Sequence, residues 1–406
     1  MPVIPDYEDY RWLVGDAAGH ALARLASCSG DLLREASRLR REHSTGRVHL
    51  LLEQVELRRR GRGKFADADR MFFTSLGLEQ ATDQWTAAYK ALRFRRCETG
   101  PVWDLCCGIG GDLSALARGR EVVGVERDRV KALLARANCR TLADRAAAQI
   151  VVADAGRLPA EPALWHIDPD RRSAGRRTTR VERCQPGVDV LDRLRRSSAT
   201  GAVKLAPAGH VPDDWRQQAE LEWVSRDGEC KQLVAWFGEL ASAPGMRRAT
   251  VVVGRGLPPR IRTFVGRPDG APAVAADFGR YLAEPDAAVL AAGLVGTLAA
   301  EHELSAVAAG AVYLTGDRAV DDPALDWFEI CEALPFDIKH VKAVLRGRQI
   351  GRLEIKKRGV DVVPEQLHRR LCVPGDESAT LFLVRRGETV SAVLSRRVGI
   401  KDSAKS

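Results

Sequence analysis

The sequence predicts an α/β protein whose main sheet is mostly parallel, preceded by a helical region and followed by a smaller α+β region. Three observations carry that prediction. From Pro101 short apolar runs alternate with helical stretches, and a strand–helix–strand rhythm implies a parallel sheet covered on both faces. Before Pro101 apolar residues recur at helical spacing between charges. Beyond Gly256 strand-like and helical runs mix around a strongly basic segment.

In chain order, the segments AALARLASC, DLLREASRLRREH and RVHLLLEQVELRRRGRGKFADADRM read as helices, the last broken by Gly61 and Gly63. Phe73 to Phe94 reads as one more helix. Strands are expected at VWDLCC (102–107), EVVGVE (121–126), QIVVAD (149–154), ALWHID (163–168) and GAVKLA (201–206). Helices fit between them at Asp112 to Arg118, Asp128 to Ala143 and Gly187 to Arg196. The runs ELEWVS (220–225), KQLVAWFG (231–238) and RRATVVV (247–253) lie closer together, and the turn signal Asp227-Gly228 predicts an antiparallel hairpin at this sheet edge. A Gly/Pro/Arg-rich linker and an Ala-rich helical stretch, Asp286 to Ala309, follow. The strands DWFEICEAL, ATLFLVRRG and TVSAVLSRR close the chain. The domains expected are residues 1–100 (helical), 101–256 (Rossmann-like), 257–326 (linker and helical segment) and 327–400 (basic, α+β).

Composition bounds the function. Of 406 residues, 45% are hydrophobic and 29% charged, as in an ordinary globular protein. The opening residues lack a basic start followed by an apolar core, so no signal peptide is expected. The least polar stretch, Ala287 to Ala300, runs into Glu301, His302 and Glu303 and falls short of a membrane span. The expectation is a soluble cytoplasmic protein. Its 9 cysteines are scattered without a CxxC pair, which points to reduced thiols and no metal site. A net charge of +9, carried mostly by arginine, favours a polyanionic partner.

The most informative segment is DLCCGIGGDLSALA, where an apolar strand bearing Asp104 runs into Gly108-Ile109-Gly110-Gly111 and a new helix. Glycines let backbone approach a ligand closely, and a helix start adds a positive dipole end. A lone GxGxxG could equally mean a nicotinamide cofactor. Here Leu113 replaces the third glycine, and Asp104 stands where a pyrophosphate would meet like charge. S-adenosylmethionine (SAM) carries a sulfonium and an amino group, so an acid there suits it better. Glu126, ending the second strand, can accept bonds from both ribose hydroxyls; Asp154, ending the third, can accept from the adenine amino group. With Cys106, Arg127 and Ala155 beside them, these are the candidate cofactor residues. The competing reading is that strand-end acids only cap the turns that follow.

The fourth strand ends His166-Ile167-Asp168-Pro169-Asp170-Arg171-Arg172. Enzymes that methylate amino groups or nucleobases place an Asp/Asn-Pro-Pro-aromatic motif there. This chain keeps Asp168 and Pro169, while Asp170 and Arg171 replace the second proline and the aromatic. An Asp-Pro-Pro-Arg form belongs to uracil C5 chemistry, which also needs a cysteine after the next strand. KLAPAG offers none, so direct in-line transfer is favoured. Asp168 is the candidate to orient the nucleophile or accept its proton. Arg172, Arg176 and Arg177 lie just beyond and are candidates for substrate phosphates, unless they form a solvated loop. Lys204 reaches either the same cleft or a salt bridge, and His166 and Trp165 read as core residues.

The set LEQATDQWTAAYKALRF, DLCCGIGGDLSALA, VVGVERD, HIDPDRR, GAVKLAPAG, ELEWVSRDGECKQLVAWFG and YLAEPDAAVLAAGLV resembles bacterial class I methyltransferases with a C-terminal THUMP-like domain. The resemblance runs from about Met71 to Arg397 and extends, more distantly, to trimethylguanosine synthases, which methylate guanine N2 on RNA. It implies a SAM cofactor at Asp104, Gly108, Gly110, Glu126 and Asp154, a catalytic motif at Asp168–Pro169, and RNA binding by the C-terminal domain. The basic segment FDIKHVKAVLRGRQIGRLEIKKRGVDV agrees on its own terms. There Lys339, Lys342, Arg346, Arg348, Arg352, Lys356, Lys357 and Arg358 crowd together. The expectation is an enzyme that methylates a base nitrogen of tRNA or rRNA. Its rivals are a methyltransferase for a protein or small-molecule amine, and a catalytically silent protein that binds SAM and RNA.

Overall fold

The computed structural model describes residues 5–27, 32–98, 100–142, 148–173, 176–197, 200–268 and 270–399. The chain forms two compact units. One comprises Met1–Leu221, Gln232–Gly245 and Gly254–Arg260; the other comprises Glu222–Lys231, Met246–Val253 and Ile261–Ser406.

The first unit opens with helices α1 (Tyr7–Leu13), α2 (Asp16–Ser27), α3 (Leu32–Glu42) and α4 (Thr45–Gly61). Their apolar faces meet around Leu13, Leu22, Leu25, Leu39, Leu50 and Leu51. Residues 73–94, expected as one helix, form two, α5 (Ser75–Gln80) and α6 (Gln84–Phe94). Capping explains the split: Asp83 accepts from the backbone N–H groups of Trp85 and Thr86, satisfying donors that only a new helix start would leave open. The end of α5 is held from outside, because Lys64 Nζ donates to the carbonyls of Leu78, Glu79 and Ala81.

The sheet then proceeds through β1 (Val102–Leu105), α7 (Gly111–Leu116), β2 (Val122–Glu126), α8 (Arg129–Leu142), β3 (Ala148–Val152) and β4 (Leu164–Ile167). A short hairpin, β5 (Arg172–Ser173) and β6 (Arg176–Arg177), precedes α9 (Val188–Ser197), β7 (Thr200–Leu205) and α10 (Asp213–Gln218). Next come β8 (Glu220–Arg226), β9 (Glu229–Phe237), β10 (Arg247–Val253) and β11 (Arg260–Gly266). The order β7-β4-β1-β2-β3 is parallel throughout, and β9 joins antiparallel beside β7. Asp227 and Gly228, both at positive φ (54° and 75°), make the two-residue turn between β8 and β9. A parallel sheet buried on both faces asks for continuous apolar strands, and β4 is buried at every residue. Close packing fixes one glycine: a Cβ on Gly201 would lie 2.1 Å from the Trp165 ring. Arg93 of α6 ties the helix to the sheet through a two-pronged pair with Glu220 at 3.0 and 3.3 Å.

Residues 257–326, expected as a linker and helical segment, hold strands as well. This stretch contains β11, β12 (Tyr281–Pro285), the short helices α11 (Ala287–Ala292) and α12 (Val295–Glu301), and strands β13 (Ser305–Ala306) and β14 (Leu314–Gly316). The helix breaks because Gly293 adopts a left-handed φ of 70° that caps α11, a conformation open to glycine. Then follow β15 (Leu325–Pro335), α13 (Ile338–Gly347), β16 (Ile350–Arg358), α14 (Pro364–Leu371), β17 (Glu377–Arg386) and β18 (Thr389–Arg397). A seven-stranded sheet runs β13-β14-β12-β15-β18-β17-β16, with β16 parallel to β17 at its edge. Among the described residues no helix is long and apolar enough to cross a membrane.

Candidate active site

The ends of β1, β2 and β4 and the loop before α7 wall a cavity of about 440 Å³ in the first unit. Asp104, Cys106, Gly108, Glu126, Arg127, Asp154, Ala155, Asp168, Pro169, Asp170 and Arg171, all singled out by sequence, stand on its wall. Gly110 does not line it. It is the N-cap of α7 at φ 88°, packed against the backbone of Ala135, so its freedom serves the turn. Gly108 differs: its φ is 58°, and a Cβ there would meet nothing within 4 Å. Its bare backbone therefore faces open space that a ligand can fill.

Glu126 is buried, with Oε2 accepting the Gly108 N–H and Oε1 the Asp128 N–H, both at 2.9 Å. The carboxylate is thus locked in orientation and keeps lone pairs for two further donors. Asp154 accepts the Gly156 N–H at 2.8 Å, the turn-capping role weighed as the alternative, while still standing on the cavity wall. Arg127 donates to Gln185 Oε1 at 3.1 Å, bringing the loop before α9 to the rim.

At the end of β4, Asp168 Oδ2 is held by Lys204 Nζ at 2.6 Å, and the lysine is almost wholly buried. Of the two possibilities for Lys204 the structure shows the salt bridge; its partner Asp168 lines the cavity and Lys204 does not. Pro169 is buried, and Asp170 exchanges backbone hydrogen bonds with Gln185 while its Oδ1 accepts from Gln80 Nε2 at 3.2 Å. Arg171 reaches the wall, and the Thr178 N–H donates to its carbonyl, tying down the base of the arginine hairpin. The backbones of Arg172, Arg176 and Arg177 form that hairpin, but their side chains lie outside the described residues.

Cys106 shares the wall, yet burial and the nearby Glu126, Asp168 and Asp104 carboxylates push its thiol far above the usual range. It is no thiolate nucleophile. Cys107 is driven the same way, chiefly by burial.

Beneath the cavity lies a buried polar cluster that sequence reading missed. Asp104 Oδ1 is 2.6 Å from His166 Nδ1, His166 Nε2 is 3.4 Å from Lys90 Nζ, and Lys90 is 2.7 Å from Asp112 Oδ1. Thr82 donates to Asp112 Oδ2 at 2.7 Å. His166 is a satisfied core histidine, as its apolar neighbours suggested. Burial would lift the Asp112 carboxyl, but the positive surroundings, the Lys90 ammonium first among them, overcome it and hold the group well below its ordinary value. Burial pulls the Lys90 ammonium down, and the Asp112 carboxylate 2.7 Å away opposes that loss. Burial pushes Asp104 up, His166 opposing, and its buried Oδ2 has no hydrogen-bond partner among the described residues. An orphaned buried carboxylate oxygen costs about 1–3 kcal/mol or more until a donor arrives, so the wall offers a place for a cation.

The basic segment of the second unit is less open than its sequence suggests. Lys356 pairs with Glu284 and sits 3.5 Å from Glu354; Lys357 donates to the Val360 carbonyl at 3.3 Å. Arg358 interacts with Tyr313, Arg352 donates to Ser378 at 2.8 Å, and Arg348 pairs with Glu332 at 3.0 Å. Lys342 donates to the Arg370 carbonyl. The side chains of Lys339 and Arg346, exposed on α13, have no hydrogen-bond or ion-pair partner among the described residues. Glu301, His302 and Asp322 approach one another as a metal site would, but Arg262 donates to both carboxylates, at 2.8 Å to Asp322.

A five-stranded parallel sheet with an antiparallel edge and a glycine turn feeding an acid-lined cavity defines a Rossmann-like methyltransferase domain. Residues 325–397 match the family described as THUMP domain-like, and residues 6–61 match a domain of unknown function. An uncharacterised SAM-dependent methyltransferase of Mycobacterium tuberculosis, found in two strains, is 32% identical over 351 residues, covering 84% of this chain and 94% of its own. The crystal structure of a methyltransferase candidate from Porphyromonas gingivalis superposes with a TM-score of 0.74 at 20% identity, covering 98% of this chain and 100% of that one. The chain belongs to this family of SAM-dependent methyltransferases and carries a THUMP-like domain at its C-terminal end.

Proposed function

We propose that the enzyme methylates a base nitrogen of tRNA or rRNA, guanine N2 being one candidate position, by direct in-line transfer. The observation that carries this reading is the Asp168–Pro169 corner, set on the cavity wall beside the glycine turn with Lys204 fixing one carboxylate oxygen. SAM, when bound, supplies the electrophilic methyl group. Glu126 would take the ribose hydroxyls, Asp154 and the Ala155 N–H the adenine edge, and Asp104 the amino group of the methionine portion.

The chain's own residues then have positioning to do. Lys204 holds Asp168 Oδ2, so the carboxylate presents its other oxygen and can accept an N–H of the substrate, aligning the nitrogen lone pair. Pro169 contributes its carbonyl and no competing donor. Where the related motif carries an aromatic, Arg171 offers a planar guanidinium that can stack on a base. The raised thiols of Cys106 and Cys107 argue against a covalent route. RNA as the substrate class is supported by the THUMP-like match, the net charge of +9 and the open cations Lys339 and Arg346. Lys356, Lys357 and Arg358 would contribute less, being engaged within the fold.

The test is transfer of labelled methyl from SAM to total RNA from a strain lacking the gene, beside an Asp168→Ala variant and an RNA-free reaction. Label in RNA that disappears with the variant is expected, and nucleoside mass spectrometry then names the atom. Label in protein or small amines but never in RNA would overturn the proposal.

A further inference from the structure

The cluster below the cavity contains two buried ionisable side chains, Lys90 and His166, that the proposed reaction does not use. Lys90 comes from α6, outside the segment that forms the glycine turn, and is 1% exposed; His166, on β4, is also 1% exposed. Their contacts fix one protonation pattern. A lysine ammonium has donors and no acceptor, so His166 Nε2, facing Lys90 at 3.4 Å, must be the unprotonated nitrogen. The ring proton then sits on Nδ1 and points at Asp104 Oδ1, 2.6 Å away. Asp112, on the far side of Lys90 at 2.7 Å, favours the charged form of the lysine and aims it. What remains is Asp104 Oδ2, buried, without a hydrogen-bond partner among the described residues and belonging to a residue of the cavity wall.

We propose that Lys90 and His166 are positioning residues of the cofactor site: Lys90 sets the His166 tautomer, and the resulting Nδ1–H holds Asp104 so that Oδ2 receives the cofactor's α-ammonium. The inference rests on the reading of Asp104 as a cofactor ligand. It assigns the helix before the sheet a supporting part in cofactor recognition, exerted through His166 and Asp104. Losing the His166 donor leaves Asp104 free to rotate and its charge less supported. Ligands bearing the amino-acid portion should then weaken by about tenfold or more, the worth of a charge-assisted hydrogen bond. Ligands without that portion should be unaffected.

Two measurements on the full chain test this. Nitrogen NMR of histidine-labelled protein, with His166→Asn giving the assignment, should show the His166 ring protonated at Nδ1 only. A ring protonated at Nε2 would overturn the proposal. Calorimetric titration would use S-adenosylhomocysteine, which carries the ammonium, and methylthioadenosine, which lacks it. His166→Leu and Lys90→Met should weaken the first and leave the second within about twofold. His166→Asn, whose amide N–H can reach Asp104, should recover most of the loss. Equal loss of both ligands would mean general disruption of the pocket and would defeat the proposal. If Asp104→Asn does not weaken S-adenosylhomocysteine, the reading of Asp104 fails. If it does while His166→Leu and Lys90→Met have no effect, this inference alone fails.

Discussion

Replacing Lys90 by methionine removes one member of an almost fully buried ion pair while keeping the stem volume. Lys90 and Asp112 expose 2% and 9% of their side chains and lie 2.7 Å apart. Removing one partner of such a pair typically costs about 3–5 kcal/mol, because the other charge stays buried without compensation. Asp112 still accepts from Thr82 and feels Lys204, so the lower end, about 3 kcal/mol, is expected. Adding Asp112→Asn removes the stranded charge and retains an acceptor for Thr82, which should restore about 2 kcal/mol. The assay is urea unfolding followed by tryptophan fluorescence, with Trp85, Trp165 and Trp236 reporting from the core of this unit. The pH dependence has a definite sign. The Asp112 carboxyl is held below its ordinary value in the folded protein, so its contribution is complete above about pH 4 and fades as acid approaches the folded value. In the Lys90→Met variant the unpaired carboxyl protonates more readily, so the gap to wild type should close on acidification. A loss below about 1 kcal/mol, or a double variant no more stable than the single, would refute the reasoning.

Other perturbations reach other parts of the account. Glu126→Gln places an amide NH₂ against the Gly108 or Asp128 N–H, and should weaken S-adenosylhomocysteine by about 1.5–3 kcal/mol in calorimetry. Unchanged affinity would remove Glu126 from the cofactor site. Gly201→Ala forces a Cβ to within 2.1 Å of Trp165 and should cost about 1–3 kcal/mol in thermal unfolding, whereas a neutral result would contradict the packing. Lys339→Ala with Arg346→Ala should weaken RNA binding and flatten its salt dependence by about 1.5 in log–log slope. Lys356→Ala, which strands Glu284, should lower stability more than RNA affinity, as filter binding and unfolding together would show.

The legibility of the fold followed from how locally each part is encoded. Strands β1, β2, β3, β4 and β7 could be read because each is a short apolar run flanked by helical spacing, and the cavity residues because they follow those strands directly. The split at Ala81–Asp83 was missed because Asp83 looks like one more polar residue until its side chain is seen bonded to two backbone N–H groups. β11 was hidden inside a Gly/Pro/Arg-rich segment whose composition reads as linker. The Lys90–Asp112–His166 cluster depends on groups far apart in the chain, and a buried lysine looks like a surface lysine in sequence. One signal was available: Lys90 lies on the same helical stripe as Ala87, Ala91 and Phe94, all buried, where a charge needs a partner. In the basic segment the opposite happened, since Glu284, Glu332 and Asp376, which engage its cations, come from outside it.

The most direct test of the account is a crystal structure of the protein with S-adenosylhomocysteine. The account predicts the ribose hydroxyls on Glu126, the ammonium at Asp104 Oδ2, and the sulfur facing the Asp168–Pro169 corner. A ligand bound outside this cavity, or reversed so that its adenine meets Asp168, would contradict it.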